Sequence, residues 1–219
     1  MTTVPWPAIH ALDALAKTTK SKVLVPLQER YTMEDMWYLD TDQARPMFEQ
    51  QADIIINHGY TGIVDVGCRH GPVNQILYDK DYRDYNYFGF DTSKDPISVG
   101  KSTWQDLPNI NYEVMSWNDN YQVDFSVDVM IFSGVLLYIK DDSKRQDLFL
   151  EMMSRNNCVN AIIQEPYHHQ KHWDDRLILN TITDGGLDWL QQDFNVAEYH
   201  MDLSVFAGRR VVYDVTPKS

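Results

Sequence analysis

The chain has 219 residues, 43% of them hydrophobic and 23% charged, which excludes a disordered polymer and leaves length for one sizeable core. Nineteen basic residues stand against 32 acidic ones, for a net charge of −13 and no basic run, so a nucleic-acid partner is argued against. The two cysteines, Cys68 and Cys158, make no disulfide framework, no apolar run approaches the roughly 20 residues that span a bilayer, and the start lacks a secretory pattern. A cytoplasmic enzyme with no membrane partner, monomeric or homodimeric, is the expectation.

In chain order, residues 1–58 read as an N-terminal helical cap. Residues 9–16 and 45–58 carry apolar side chains at helical spacing, with an aromatic stretch at 31–38 between them. Residues 59–219 read as one core, so the whole chain is expected to form a single domain. The run Ile63-Val64-Asp65-Val66-Gly67-Cys68-Arg69-His70-Gly71 is an apolar strand that reaches an acidic residue and a glycine turn, and residues 72–78 can open a helix behind it. Strand, tight turn and helix start, in that order, form the ligand-binding corner of open α/β sheets. Gly67 and Gly71 allow backbone to approach a ligand. Arg69 stands where the second glycine of G-x-G-x-x-G belongs, which argues against a nicotinamide dinucleotide.

The next strand-like stretch, Tyr85-Asn86-Tyr87-Phe88-Gly89-Phe90-Asp91, ends in an acid 26 positions (91 − 65) after Asp65. Dinucleotide-binding sheets space these residues by about 20, and the excess is assigned to a helix lengthened by residues 79–84. A carboxylate at Asp91 can accept from both hydroxyls of a ribose, although Asp91-Thr92-Ser93 is also good turn chemistry. Residues 111–114 read as strand 3 and Ser116, Trp117 and Asn118 as its exit. The apolar run 127–132 reads as a strand buried on both faces, turning at Ser133-Gly134. A helix over 141–156 and a strand over 160–165 follow. Then comes Pro166-Tyr167-His168-His169-Gln170-Lys171-His172-Trp173, which holds three of the seven histidines. Residues 187–192 read as a helix, and 195–202 with 209–216 as the last two strands.

Across residues 60–165 these motifs resemble the class I S-adenosylmethionine-dependent methyltransferases. Their first motif reads acidic-x-Gly-x-Gly-x-Gly, and two of its three glycines are present, at 67 and 71. The resemblance implies a Rossmann-like, doubly wound α/β fold: a seven-stranded, mostly parallel sheet with an antiparallel C-terminal hairpin and an N-terminal helical cap. It also implies S-adenosyl-L-methionine as cofactor, held by Asp65, Gly67, Arg69, Gly71, Asp91, Thr92, Ser116, Trp117, Asn118, Phe132 and Ser133. Trp117 suits a purine face and Asn118 a purine edge. Arg69 could clamp a carboxylate or point to solvent. In the family an N-terminal segment often closes over the ligands, which makes Arg30, Tyr31, Trp37 and Tyr38 lid candidates; the alternative is that these aromatics plug the core edge.

Several family branches are excluded by residue. No Asp/Asn-Pro-Pro-Tyr follows strand 4, neither cysteine follows a proline, and Phe132-Ser133 takes the place of the aspartate that magnesium-dependent and ribose-directed enzymes need. What remains is methyl transfer to an N or O atom of a small-molecule acceptor, without metal. Histidine has an unperturbed pKa near 6.5, so His168 and His169, with Tyr138 past strand 4, are the candidate catalytic residues for taking the acceptor's proton. His168 and His172 are also spaced for a metal on a helix, with Glu165 or Asp175 as a third ligand, and a solvated loop is the third reading of this stretch. The alternatives at the level of function are a tRNA or other nucleic-acid methyltransferase and a non-catalytic cofactor-binding module.

Overall fold

The computed structural model describes residues 44–136, 139, 142–166, 187–202 and 209–218. The candidate lid residues Arg30, Tyr31, Trp37 and Tyr38, the helix at 9–16, and Tyr138, His168, His169, His172 and Asp175 lie outside the described residues. The elements are α1 (Arg45–His58), β1 (Gly62–Val66), α2 (Pro72–Asp79), β2 (Asn86–Asp91), α3 (Lys94–Trp104), β3 (Ile110–Val114), β4 (Val129–Ser133), α4 (Asp142–Arg155), β5 (Ala161–Pro166), α5 (Leu190–Asp193), β6 (Phe194–Asp202) and β7 (Arg209–Pro217).

The seven strands form one sheet in the order β3-β2-β1-β4-β5-β7-β6. Strands β3 to β5 pair parallel with their neighbours, and β7 runs antiparallel to both β5 and β6. This is the α/β architecture and antiparallel terminal hairpin that the sequence predicts. The inner strand β1 is buried at all five positions, as a strand covered on both faces must be. Alternation splits its side chains. Ile63, with Tyr87, Val129 and Ile131 of the flanking strands, packs in a core shared with Met47, Phe48, Ala52 and Ile55 of α1, Ile76 and Leu77 of α2 and Ile97 of α3. Val64 and Val66, with Phe90, Met130 and Phe132, pack in a second core with Phe149, Met152 and Met153 of α4. Each such side chain, fully buried, is worth about 1.5–3 kcal/mol.

Two expectations change. The helix after the corner stops at Asp79, and residues 80–85 are turn and loop with Asp81 at φ 62°, so the long spacing to Asp91 is loop rather than helix. Helix α3 was not expected from the sequence, although Ser93 stands at its N-cap and Ile97, Gly100 and Trp104 are buried at helical spacing.

At the opposite end of the sheet from the corner, Asp128 ties β4 to β1. Its Oδ2 accepts from Thr61 N at 2.8 Å, Thr61 Oγ1 at 3.0 Å and Gly62 N at 2.9 Å, while its own N–H donates to Gly62 O at 2.8 Å. Burial pushes this carboxyl up, but the three donors outweigh it and hold its pKa below the usual value. Asp128→Ala is expected to cost about 1–2 kcal/mol by stranding two backbone donors, and the deficit should shrink as pH falls through the carboxylate range. Urea unfolding of both proteins at pH 7 and pH 3 checks it.

Candidate functional site

Strand order reverses between β1 and β4, so the crevice outside the carboxyl ends of these two strands is the place where such sheets bind ligands. Three of the five residues in the turn after β1 have backbone in the left-handed region. Gly67 has φ 72°, Arg69 φ 53° and Gly71 φ 86°. Strand β2 holds this turn in place. Phe90 O accepts from Gly67 N at 2.8 Å and Cys68 N at 3.0 Å, and Asp91 Oδ2 accepts from Arg69 N at 3.1 Å. Asp91 Oδ1 accepts from Ser93 N at 2.8 Å, and Asp91 O from Met115 N at 3.0 Å. The exits of β1, β2 and β3 therefore meet at Asp91.

The glycines divide the work. A Cβ on Gly67 would come within 2.4 Å of Val135 Cγ2, so this residue is glycine because the chain leaving β4 packs on it. A Cβ on Gly71 would come within 1.9 Å of the Tyr112 hydroxyl, so close helix–sheet packing fixes Gly71 as the N-cap of α2. Between them Arg69 adopts the conformation of the missing second glycine. The backbone path survives the substitution, at a cost of about 1–2 kcal/mol, and the side chain of Arg69 is half-buried.

Beneath the turn lies a polar layer. Tyr87 Oη donates to Asp65 Oδ2 at 2.6 Å, and Asp65 is only 2% exposed. Its Oδ1 has no partner among the described residues. Burial raises the Asp65 carboxyl to about 7, against the Tyr87 hydrogen bond and with a further push from Asp91. Asn74 Nδ2 donates to Tyr112 Oη at 3.2 Å and Asn74 Oδ1 accepts from Tyr85 Oη at 2.6 Å. At the end of β4 the Ser133 hydroxyl donates to Oε1 of the fully buried Gln51 at 2.8 Å. The sequence reading missed Tyr87, Tyr112, Asn74 and Gln51. The one available signal was a glutamine on the apolar stripe of α1.

The candidate residues fall into three groups. Gly67, Arg69, Gly71 and Asp91 are brought together at the corner, with the exposed Thr92 beside them. Ser116, Trp117 and Asn118 form a turn closed by Asp119, whose Oδ2 accepts from Ser116 N at 2.7 Å, and Arg155 holds its carbonyls at Trp117 and Asp119. Asp65 and Phe132 sit inside the sheet instead. The Asp65 carboxyl lies on the α1 side, and the Phe132 ring packs on Phe149 with centroids 5.2 Å apart. Glu165 is 1% exposed and its Oε1 accepts from Leu136 N at 3.1 Å.

Two outcomes follow. A carboxyl that titrates near 7 when folded and near 3.8 when unfolded binds a proton on folding between those values. Its contribution to stability is therefore full below about pH 4 and is lost as pH rises toward 7, by up to about 1.4 kcal/mol per pH unit. Asp65→Asn should flatten that slope, which urea midpoints from pH 4 to 8 will read. At the turn, Gly67→Ala must both adopt φ 72° and displace Val135, so it should lose at least about 1–2 kcal/mol, whereas Arg69→Gly should be neutral or gain up to about 1 kcal/mol. Equilibrium unfolding of the two variants separates them.

No protein-family model matches this chain, and no curated protein does. Solved structures do. An N-methyltransferase NodS from Bradyrhizobium japonicum WM9, in complex with S-adenosyl-L-homocysteine, superposes with a TM-score of 0.65 at 10% identity, over 84% of this chain and 92% of that one. Magnesium protoporphyrin IX methyltransferase (ChlM) from Synechocystis PCC 6803 with bound SAH gives 0.65 at 14% identity, over 90% and 100%. The methyltransferase domain of bacterial CtHen1-C gives 0.62 at 15%, over 81% and 100%. The chain thus has the Rossmann-like fold of these methyltransferases, as the motifs at Gly67–Gly71, Asp91 and Phe132–Ser133 imply.

Proposed function

We propose that this protein is an S-adenosylmethionine-dependent methyltransferase that moves a methyl group to an N or O atom of a small-molecule acceptor. The observation that carries this reading is the left-handed turn Gly67–Gly71 at the switch point, pinned to a carboxylate, Asp91, at the end of the neighbouring strand. Asp91 fits a ribose. A carboxylate offers about four lone pairs, and the backbone donors at Arg69 and Ser93 use one on each oxygen. The half-buried side chain keeps the remaining pairs near the crevice. Neighbours of the same fold bind S-adenosylmethionine or its demethylated product, which supports the same ligand here.

When bound, S-adenosylmethionine supplies a methyl group already activated by a sulfonium, so the chain's task is alignment, worth up to roughly 7–11 kcal/mol in ideal cases. On this reading the turn at Gly67–Gly71 receives the methionine portion through backbone, Asp91 accepts from the ribose hydroxyls with Thr92 beside it, and Ser116, Trp117 and Asn118 border the adenine. Ser133, tethered by Gln51, marks the floor at the end of β4. His168, His169 and Tyr138 remain the candidates for holding or accepting the acceptor's proton. A net charge of −13 supports a small acceptor over a polyanion. A single domain in a cytoplasmic setting, with residues 1–58 capping the core, completes the proposal.

Calorimetry on purified protein tests the cofactor. S-adenosylhomocysteine should bind saturably and NAD should not; the reverse result would sink the reading. Asp91→Ala should weaken binding by about 1–3 kcal/mol, the usual cost of leaving hydrogen-bonding groups unpaired.

A further inference from the structure

Two charged side chains, Arg145 of α4 and Glu165 of β5, are 2% and 1% exposed, and both are committed to the same residue. Arg145 Nε donates to Leu136 O at 3.1 Å, and its Nη2 reaches Ile139 O at 2.8 Å. Glu165 Oε1 accepts from Leu136 N at 3.1 Å. The peptide groups on either side of Leu136 are thus gripped by opposite charges from different elements, and the Leu136 side chain itself is fully buried. The residues before it are tied as well. Ser133 is held by Gln51, Gly134 N donates to Gln164 O at 2.8 Å with φ 64°, and Val135 is 6% exposed against Gly67.

Withdrawing two ionic groups from water is expensive, and apolar replacements of similar volume are often no less stable. Charged hydrogen bonds supply direction instead, and they are roughly twice as strong as neutral ones. A guanidinium fork spans two carbonyls where a single donor cannot. The place being fixed is the chain leaving β4 at the switch point, whose Val135 forms the surface against which the glycine turn is packed.

We propose that Arg145 and Glu165 are positioning residues for methyl transfer: by clamping the Leu136 peptide from both sides they hold Val135 against Gly67, so that the wall between β1 and β4 is preformed before cofactor arrives. The inference rests on the cofactor reading above. Neither residue need touch a ligand. Their effect passes through Leu136 and Val135 to the turn, and small displacements of a site's wall are costly to alignment.

The test uses the full chain, amide hydrogen exchange without ligand, and calorimetry with S-adenosylhomocysteine. In Arg145→Met and Glu165→Leu, exchange at Leu136 should rise tenfold or more while β1 and β4 keep wild-type protection, and the Kd should rise at least tenfold. Glu165→Gln keeps an oxygen for Leu136 N–H and should bind within threefold of wild type, a rescue that a requirement for charge alone would not give. Should the apolar variants fail to fold, Arg145→Lys serves, since a single nitrogen on a shorter stem does not reproduce the Nε/Nη2 fork, and a threefold or greater rise in Kd is expected. Affinity or local exchange that stays at the wild-type value in the folded variants overturns the inference alone. A wild-type protein that binds no S-adenosylhomocysteine overturns the cofactor reading and the inference with it.

Discussion

The end of β2 holds the end of β1, and the rest of the site depends on that grip. Three residues in five, Gly67, Arg69 and Gly71, sit in the left-handed region, where a chain does not stay without support. The support is one carbonyl and one carboxylate. Phe90 O receives two backbone N–H groups of the turn, and Asp91 receives a third while closing its own turn onto Ser93. Because β1 lies between β2 and β4, this grip also sets the start of α2 at Gly71 and the surface on which Val135 rests. Asp91 therefore has a structural duty whatever it binds, and the same geometry leaves its second lone pairs available to a diol.

The sheet's two faces support that corner by different physics. Toward α1, α2 and α3 the layer under the turn is polar: Asp65 with Tyr87, Asn74 with both Tyr112 and Tyr85, Ser133 with Gln51. Hydrogen bonds of this kind strengthen in a low-dielectric interior and admit few alternative arrangements, so they define the corner more sharply than apolar packing would. Toward α4 the layer is aromatic. Phe88 stacks on Tyr121, and Phe132 and Phe149 pack against each other. There helix α4 acts at its two ends. Arg145, near its start, holds the chain leaving β4, while Arg155 and Asn156 at its end hold the chain leaving β3 through Trp117 O, Asp119 O and Tyr121 Oη. One helix thereby sets the spacing of two of the loops that border the crevice.

Sequence exposes what is local and hides what is made by distant partners. The strands β1 and β4 are legible because burial on both faces forces near-continuous apolar runs, β2 because it is aromatic and ends in an acid, and the corner because close packing forces glycine at 67 and 71. Arg69 obscures the motif in letters while keeping its backbone, since φ 53° is open to a non-glycine residue at modest cost. Helix α3 is hard to read because its apolar positions are few, Ile97, Gly100 and Trp104, among polar neighbours. Arg145 looks like an ordinary surface charge in sequence and Glu165 like a possible partner of the histidines after it; only the packing of α4 and β5 on the chain after β4 buries them. Asp65 is legible as an acid at a strand end, but not as a buried one, because its burial is decided by Tyr87 on the next strand.

The electrostatics of the corner bear on the kind of ligand it suits. Burial raises the Asp65 carboxyl to about 7, and the nearby Asp91 carboxylate pushes it the same way. A cation brought to the crevice eases both terms: it favours the ionised form of Asp65 and releases a proton where that carboxyl was protonated. An anion does the opposite, and the backbone N–H groups of the turn or a fixed positive charge must offset that repulsion. In this turn the only formal positive charge among residues 67–71, with histidine neutral, is Arg69. A dinucleotide carries a pyrophosphate to the corner of such sheets and needs the backbone opening that a second glycine supplies; here Arg69 stands at that position, with the Asp91 carboxylate bonded to its backbone N–H. A sulfonium cofactor brings positive charge and no phosphate, so the same two carboxyls that oppose a pyrophosphate favour it.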